Sequence, residues 1–196
     1  YLERMAAWFK AHDRAFLADV INVHRYSNMG NLPGVHPPTW WANSAVPVEL
    51  DPGISDFKRV MDFAKSVNRP VFVSEFGYDT RPGTQMSPTP VVGKTLEQIQ
   101  SEWIVRAALE YMRMGASRVY AFNIADEPNP DAGLFTSCGL LYGENKGYAP
   151  KPAFAVCKAI TETLAGKHLA KDESTPQTRI MRFEGQGKMV FVYWSP

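Results

Sequence analysis

This sequence of 196 residues has only two cysteines, no long apolar run and almost no excess of either charge. Lys and Arg number 21 against 20 Asp and Glu, a net charge of +1, which argues against a polybasic nucleic-acid or membrane-surface binder and against an acidic tail. Apolar runs such as Val71–Val73 are far shorter than the ~20 residues of a membrane-spanning helix. With 45% hydrophobic residues, the chain is predicted to be a globular protein with a sizeable core that binds neither nucleic acid nor membrane.

Two cysteines, Cys138 and Cys157, are too few for a disulfide framework or an all-cysteine zinc site. One bridge between them is left open, but two reduced thiols are the expected state. Phosphate-loop and dinucleotide fingerprints are missing, which disfavours a nucleotide enzyme. A metal hydrolase is disfavoured because the histidines show no H-x-H or H-E-x-x-H spacing; they are His12, His24, His36 and His168.

Three short β-type runs, each followed by a loop and a helical pattern, predict an α/β fold. The runs start at Val20, Val71 and Val119. Because these starts are about 50 residues apart, too far for hairpins, the strands should be parallel. Apolar stripes at helical spacing predict four helices, over Tyr1–Phe16, Ile54–Val67, Thr95–Met114 and Pro152–Leu164.

The pattern changes after Lys167. Arg179–Phe183 and Met189–Trp194 are β-type runs joined by a segment with two glycines, which predicts a hairpin. We therefore expect residues 1–167 to form one domain and residues 168–196 to begin a separate antiparallel β domain.

Polar residues follow the predicted strands, where the carboxyl ends of parallel strands meet on one face. They are His24, Tyr26, Glu75, Asn123 and Asp126. A carboxylate directly after four β-type residues, as at Glu75, is costly unless it is paired or functional. Pairing with Arg25, Arg81 or a helix terminus is the structural alternative to a catalytic role.

The segment Pro70–Gly77, with Asn22–Tyr26 before it, resembles strands seven and six of clan A glycoside hydrolases, which are retaining (β/α)8 enzymes. The resemblance continues in the right order along the chain. Gln100–Arg106 is similar to the clan's seventh helix, and Gly115–Phe122 to its approach to strand eight. The clan's closing segment is matched by two ranges, Gly139–Tyr142 and Pro150–Phe154. The resemblance implies the carboxyl-terminal portion of a TIM barrel, followed by the beginning of the β domain.

The same resemblance implies a retaining hydrolase that acts on a β-linked glycoside or polysaccharide, with Glu75 as the nucleophile. Tyr26 would donate its hydroxyl to Glu75, and His24 would line the sugar subsite beside it; a buried core histidine is the alternative for His24. No cofactor is expected, because two carboxylates suffice for this reaction. Secretion or a periplasmic location is expected of a polysaccharide-acting member, although no leader is visible in this chain.

Five further residues are expected to bind the substrate: Trp40, Trp41, Phe122, Asn123 and Asp126. Aromatic faces stack on the C–H side of a sugar, although the tryptophan pair could instead pack under its own loop. Clan members often place a Trp at the end of strand eight, where this chain has Phe122 and Asn123, so Phe122 is the expected substitute.

The clan's general acid/base is a Glu after Asn at the end of strand four, and no residue before His24 matches it. Glu127, in Asp126–Asn129, lies in a sequence that resembles the acid/base motif. It follows Glu75 in the chain, however, which places it in the loop beyond strand eight. Three of eight strands cannot close a barrel. We therefore expect this chain to need the amino-terminal part of the barrel, in the same or another chain, and to be inactive alone. A catalytically inactive barrel that binds carbohydrate or serves as a scaffold is the alternative.

Overall fold

Three parallel strands form the central sheet of the computed structural model, which describes residues 1–28, 44–129 and 133–196. The strands are β1 (Ile21–His24), β2 (Val71–Phe76) and β3 (Arg118–Ala121), in the order β1-β2-β3. Ile21 is in register with Val71 and Phe72 with Arg118. The predicted parallel pairing and the α/β class are therefore confirmed.

Four helices connect and cover the strands: α1 (Leu2–Ala11), α2 (Ile54–Ser66), α3 (Leu96–Arg113) and α4 (Pro152–Leu164). Thr95 and Gln98 begin α3 with a reciprocal capping box, which satisfies two of the backbone N–H groups that a helix start leaves free. The prediction for α1 is too long, because the helix ends at Ala11 and Asp13 takes a left-handed φ of 51°. Short 3-10 turns lie at Val48–Leu50 and Glu144–Lys146.

The two faces of the parallel sheet differ in burial. Val71, Val73 and Phe76 lie in one core with side chains of the helices, including Phe57 and Tyr111. The opposite face carries a Tyr120 that is 45% exposed, and an Arg118 guanidinium 5.6 Å from the centre of the Phe72 ring. Within the described ranges, β1 and β3 each have a strand neighbour on one side only. The parallel sheet therefore has two open edges and one open face.

A second sheet, antiparallel, follows α4 and consists of β4 (His168–Asp172), β5 (Arg179–Gly185) and β6 (Lys188–Trp194). The hairpin of β5 and β6 agrees with the prediction; β4 was not predicted. Met181 and Phe183 of this sheet share a buried cluster with Leu109 of α3. The division into domains between residues 167 and 168 stays a prediction, since the second sheet packs on a helix of the first unit.

Cys138 and Cys157 are free thiols, which agrees with the expected reduced state. No helix in the described part of the chain is both long and apolar enough to cross a membrane.

Candidate active site

Backbone hydrogen bonds bring the carboxyl ends of the three strands together. Arg25 N donates to Glu75 O at 2.8 Å, and Phe122 N donates to Phe76 O at 2.8 Å. A Cβ at Gly77 would overlap Phe122 O, so glycine is required there for the ends of β2 and β3 to approach. The residues after each strand therefore lie side by side, as predicted for polar strand ends.

The carboxylate of Glu75 contacts two side chains from β1 and the residues that follow it. Tyr26 Oη donates to Glu75 Oε2 at 3.2 Å, and His24 Nδ1 lies 3.3 Å from the same oxygen. Among the described side-chain contacts of the Glu75 carboxylate, none is with the guanidinium of Arg25 or Arg81. The Arg25 guanidinium pairs with buried Asp51 instead, so the predicted pairing of Glu75 with an arginine is not what the described contacts show.

The side chains of Glu75 and His24 reach solvent. Their exposed fractions are 31% and 55%, so His24 is not a buried core histidine and that alternative is wrong. Glu75 combines a fixed position at a strand end with an oxygen that a ligand can approach.

Tyr26 is held as a hydrogen-bond donor. Burial, with the nearby Glu75 carboxylate as the next contribution, raises the pKa of Tyr26 above its ordinary value, so the phenol keeps its proton at neutral pH. Its ring contacts the Phe135 ring with centroids 4.7 Å apart. The Phe135 ring in turn contacts Phe122 edge-on at 6.2 Å. An aromatic row therefore runs from beside Glu75 to the end of β3.

A groove of about 530 Å³ lies along this aromatic row. Its lining residues are Phe122, Glu127, Pro128, Asn129, Leu134, Phe135 and Thr136. Phe122 borders this groove after the end of β3, and its role in substrate binding stays a prediction. Asn123 lies next to it, with its side-chain Oδ1 accepting a hydrogen bond from Ile124 N at 2.7 Å. A second cavity of about 450 Å³ lies between α3, α4 and β5. Its lining is mostly apolar and contains no carboxylate or histidine side chain.

The Asp126 side chain is only 7% exposed, and none of its described contacts is with Glu75. Its Oδ1 accepts from the buried Lys151 Nζ at 2.7 Å and from Gly139 N at 3.0 Å. Burial raises the pKa of Asp126 and lowers that of Lys151, and the ion pair between them opposes both shifts. The geometry favours a structural role, and substrate binding by Asp126 stays a prediction.

Asp79 was missed by the sequence analysis, although it follows β2 by three residues. Its fully buried carboxylate accepts hydrogen bonds from five donors. They are Ser137 N, Ser137 Oγ, Cys138 Sγ, Thr84 Oγ1 and Phe135 N. An acid directly after the segment Phe76–Tyr78 was the available signal, because a buried charge needs partners.

Trp40, Trp41 and His36 lie outside the described residues. Glu127 is exposed, in the loop beyond β3 where chain order placed it. Across the ranges that the structure describes, no group of three His, Cys, Asp or Glu side chains could hold a metal ion.

No protein-family model matches this sequence, and no curated protein matches it either. Solved structures do match. A family 39 glycoside hydrolase from the gut symbiont Bacteroides cellulosilyticus WH2 is 16% identical with a TM-score of 0.62, covering 96% of this chain and 36% of its own. A β-glucuronidase of Bifidobacterium dentium is 20% identical with a TM-score of 0.50, and the match covers 76% of this chain and 21% of the β-glucuronidase chain.

These likenesses show the fold: the chain is folded like part of a glycoside hydrolase. It spans about a third of the first structure's length and about a fifth of the second's. The resemblance stated from the sequence motifs is therefore confirmed at the level of the fold.

Proposed function

We propose that this chain is the carboxyl-terminal part of a retaining β-glycoside hydrolase in which Glu75 is the nucleophile. The observation that carries the proposal is the Glu75 carboxylate, accessible at the end of the middle parallel strand and bonded to the Tyr26 hydroxyl at 3.2 Å. In the first step, a Glu75 oxygen attacks the anomeric carbon and forms a glycosyl ester while the leaving oxygen takes a proton from a second carboxyl group. In the second step, the second carboxylate takes a proton from water, the water oxygen attacks the anomeric carbon, and the bond from that carbon to the Glu75 oxygen breaks, which frees Glu75.

The neighbouring residues have roles that follow from their positions. Tyr26 fixes the carboxylate by donating to Oε2, which leaves the other oxygen free for attack. His24, at the exposed end of β1, borders the sugar bound at Glu75. Phe122 offers an aromatic wall, and Trp40, Trp41, Asn123 and Asp126 are the further predicted contacts.

The general acid/base comes from outside these 196 residues in this proposal. Retaining enzymes hold their two carboxyl groups about 5–5.5 Å apart, and within the described residues the side-chain contacts of Glu75 are with Tyr26 and His24, not with a second carboxylate. The open edges of β1 and β3 support the same conclusion, because unpaired strand edges require neighbours. Five further strands would close the sheet as a barrel. Export from the cell, as expected for a polysaccharide-acting enzyme, belongs to the proposal.

Azide rescue of a Glu75→Ala variant tests the nucleophile, with the chain assembled with the remaining barrel strands. We expect the variant to lose at least 10³-fold in turnover of an aryl β-glycoside with a good leaving group. Azide should fit the space that the side chain leaves and restore turnover, giving the α-glycosyl azide. Glu162→Ala is the matched control, an exposed carboxylate on α4, and should keep turnover and give a β-configured product.

Two results would overturn the proposal. A Glu75→Ala variant with ordinary turnover would remove Glu75 from the reaction. Wild-type protein that binds β-linked oligosaccharides but turns over none of them would instead support the carbohydrate-binding or scaffold alternative.

A further inference from the structure

We propose that Asp79 is a positioning residue that sets the orientation of Tyr26 through Phe135, although its described hydrogen bonds are with neither Tyr26 nor Glu75. This inference rests on the proposed function, since it assigns Asp79 a part in presenting the nucleophile. Three consecutive contacts carry it.

The first contact joins Asp79 to the loop that follows β3. Asp79 Oδ1 accepts from Ser137 N at 3.1 Å and from Ser137 Oγ at 2.9 Å, while Oδ2 accepts from Phe135 N at 3.0 Å. The carboxylate is fully buried, where hydrogen bonds to a charged group are strong and a lost one is costly. Asp79 therefore fixes the backbone of this loop at two residues, Phe135 and Ser137.

Lys151 holds the same loop from the other side. Its buried Nζ donates to Ser137 O at 3.0 Å and to Thr80 Oγ1 at 3.0 Å. Thr80 N also donates to Ser137 O, at 3.1 Å. Because Asp79 and Thr80 lie in the segment that follows β2, the loop is tied to the strand that carries Glu75.

The second contact runs from Phe135 to Tyr26. Phe135 takes a left-handed φ of 67°, a conformation that is unfavourable for a bulky side chain unless its surroundings hold it. The hydrogen bond from its N–H to Asp79 supplies such a hold. In this conformation the Phe135 ring lies 4.7 Å from the Tyr26 ring, tilted by 47°, and limits the directions that the phenol can take.

The third contact is the hydrogen bond from Tyr26 Oη to Glu75 Oε2 at 3.2 Å. A phenol ring without its Phe135 neighbour would sample more orientations and spend less time bonded to Glu75. Misplacement of a reacting group by about 1 Å can cost on the order of 100-fold in rate. A change at Asp79 is therefore expected to reach Glu75 through Phe135 and Tyr26.

A double-mutant cycle between Asp79→Asn and Tyr26→Phe tests this, in the protein assembled with the remaining barrel strands. An amide keeps one oxygen for the three donors at Oδ1 and turns its NH2 toward Phe135 N and Thr84 Oγ1. The Thr84 hydroxyl can rotate and accept a hydrogen bond from the NH2, but the Phe135 N–H cannot, so the loss falls on the Phe135 contact. We expect Asp79→Asn alone to lower kcat about tenfold with KM changed less than twofold. In the Tyr26→Phe background it should lower kcat less than twofold, because residues acting through one another are not additive.

Glu110→Gln is the matched control, a buried carboxylate of α3 that pairs with Arg113 and Arg179. It should leave kcat unchanged in both backgrounds, even where it lowers the melting temperature. Phe135→Leu removes the ring without removing a buried charge. If Asp79→Asn does not fold, Phe135→Leu takes its place in the cycle with the same expected non-additivity.

Effects of Asp79→Asn and Tyr26→Phe that multiply, or a folded Asp79→Asn variant with wild-type kcat, would overturn the role of Asp79. A Glu75→Gln variant run alongside separates the two hypotheses. If Glu75→Gln loses turnover while the effects of Asp79→Asn and Tyr26→Phe multiply, only the role of Asp79 is overturned. If Glu75→Gln keeps its turnover, the proposed function itself is overturned.

Discussion

The hydroxyl of Tyr26 donates a hydrogen bond to Oε2 of Glu75 across two neighbouring parallel strands, at 3.2 Å. Burial and the Glu75 carboxylate raise the pKa of the phenol, which keeps the proton on Tyr26 and the acceptor role on Glu75. A carboxylate oriented by a neutral phenol donor keeps its negative charge in that hydrogen bond, and the ionised carboxylate is the nucleophilic form.

Tyr26→Phe removes that hydrogen bond and keeps the ring that packs on Phe135. A hydrogen bond to a charged group contributes about 1.5–3 kcal/mol, so kcat/KM for an aryl β-glycoside should fall about 10- to 100-fold. Tyr120→Phe, on the open face of β3, is the control and should change it less than twofold. Equal kinetics of Tyr26→Phe and wild type would show that the hydrogen bond from Tyr26 to Glu75 does not contribute to the reaction.

Lys151→Met leaves the Asp126 carboxylate buried without its cation. Breaking a buried ion pair on one side costs about 3–5 kcal/mol, which urea unfolding should report as a lower midpoint. The double change Lys151→Met with Asp126→Asn should recover part of that loss, since no unpaired charge remains. Lys158→Met removes an exposed pair with Glu162 and should shift the free energy of unfolding by less than about 0.5 kcal/mol. Equal effects of the two lysine variants would contradict the buried pairing.

Acid should loosen the second sheet from α3 through Asp172, which pairs with Arg113 at 3.1 Å. Burial alone would raise the pKa of Asp172, but hydrogen bonds from Ser174 and the Arg113 contact outweigh it and lower that pKa below its ordinary value. A carboxyl whose pKa is lower in the folded state stabilises the fold above its unfolded pKa of about 3.9, and this contribution is lost as the pH falls through the folded value.

Melting curves of Asp172→Asn and wild type should therefore differ at pH 7 and converge near pH 2. Asp62→Asn, on the exposed side of α2, should match wild type at both pH values. A gap between Asp172→Asn and wild type that is as wide at pH 2 as at pH 7 would contradict the ionic role of Asp172.

The two thiols should react slowly in the folded protein. Burial raises the pKa of Cys157 to about 11, and burial with the nearby Asp79 carboxylate raises the pKa of Cys138 well above its ordinary value. Because the thiolate is the reactive form, iodoacetamide at pH 8 should alkylate both cysteines far faster in denaturant than in buffer, as followed by intact mass. Two labels added within minutes without denaturant would be inconsistent with the raised pKa values of the two thiols.

The parts of the fold that could be predicted are those set by local patterns. Val71–Glu75 has the apolar run of a buried strand, and Thr95 with Gln98 has the spacing of a capping box, so strand and helix start were both found. The polar strand ends His24, Tyr26 and Glu75 could be grouped because parallel strands bring such residues to one edge.

The parts that could not be predicted depend on contacts between distant segments. Asp79 and Ser137 are 58 residues apart, and no local pattern marks them as partners. Asp126 has the strand-end position of a binding residue, but its carboxylate forms an ion pair with the buried Lys151. Trp194 Nε1 donates to the buried Glu49 at 2.9 Å, a contact between the second sheet and a loop 145 residues earlier.

The most direct test of the central claim is covalent trapping by a 2,4-dinitrophenyl 2-deoxy-2-fluoro-β-glycoside. The fluorine slows hydrolysis of the glycosyl ester, and dinitrophenolate leaves without help from a general acid, so the reaction depends on the nucleophile itself. With the chain assembled with the remaining strands, intact mass should rise by one fluorosugar, and peptide mapping should place it on Glu75. A label on another carboxylate such as Glu127, or turnover of a good β-glycoside substrate with no label at all, would contradict the claim.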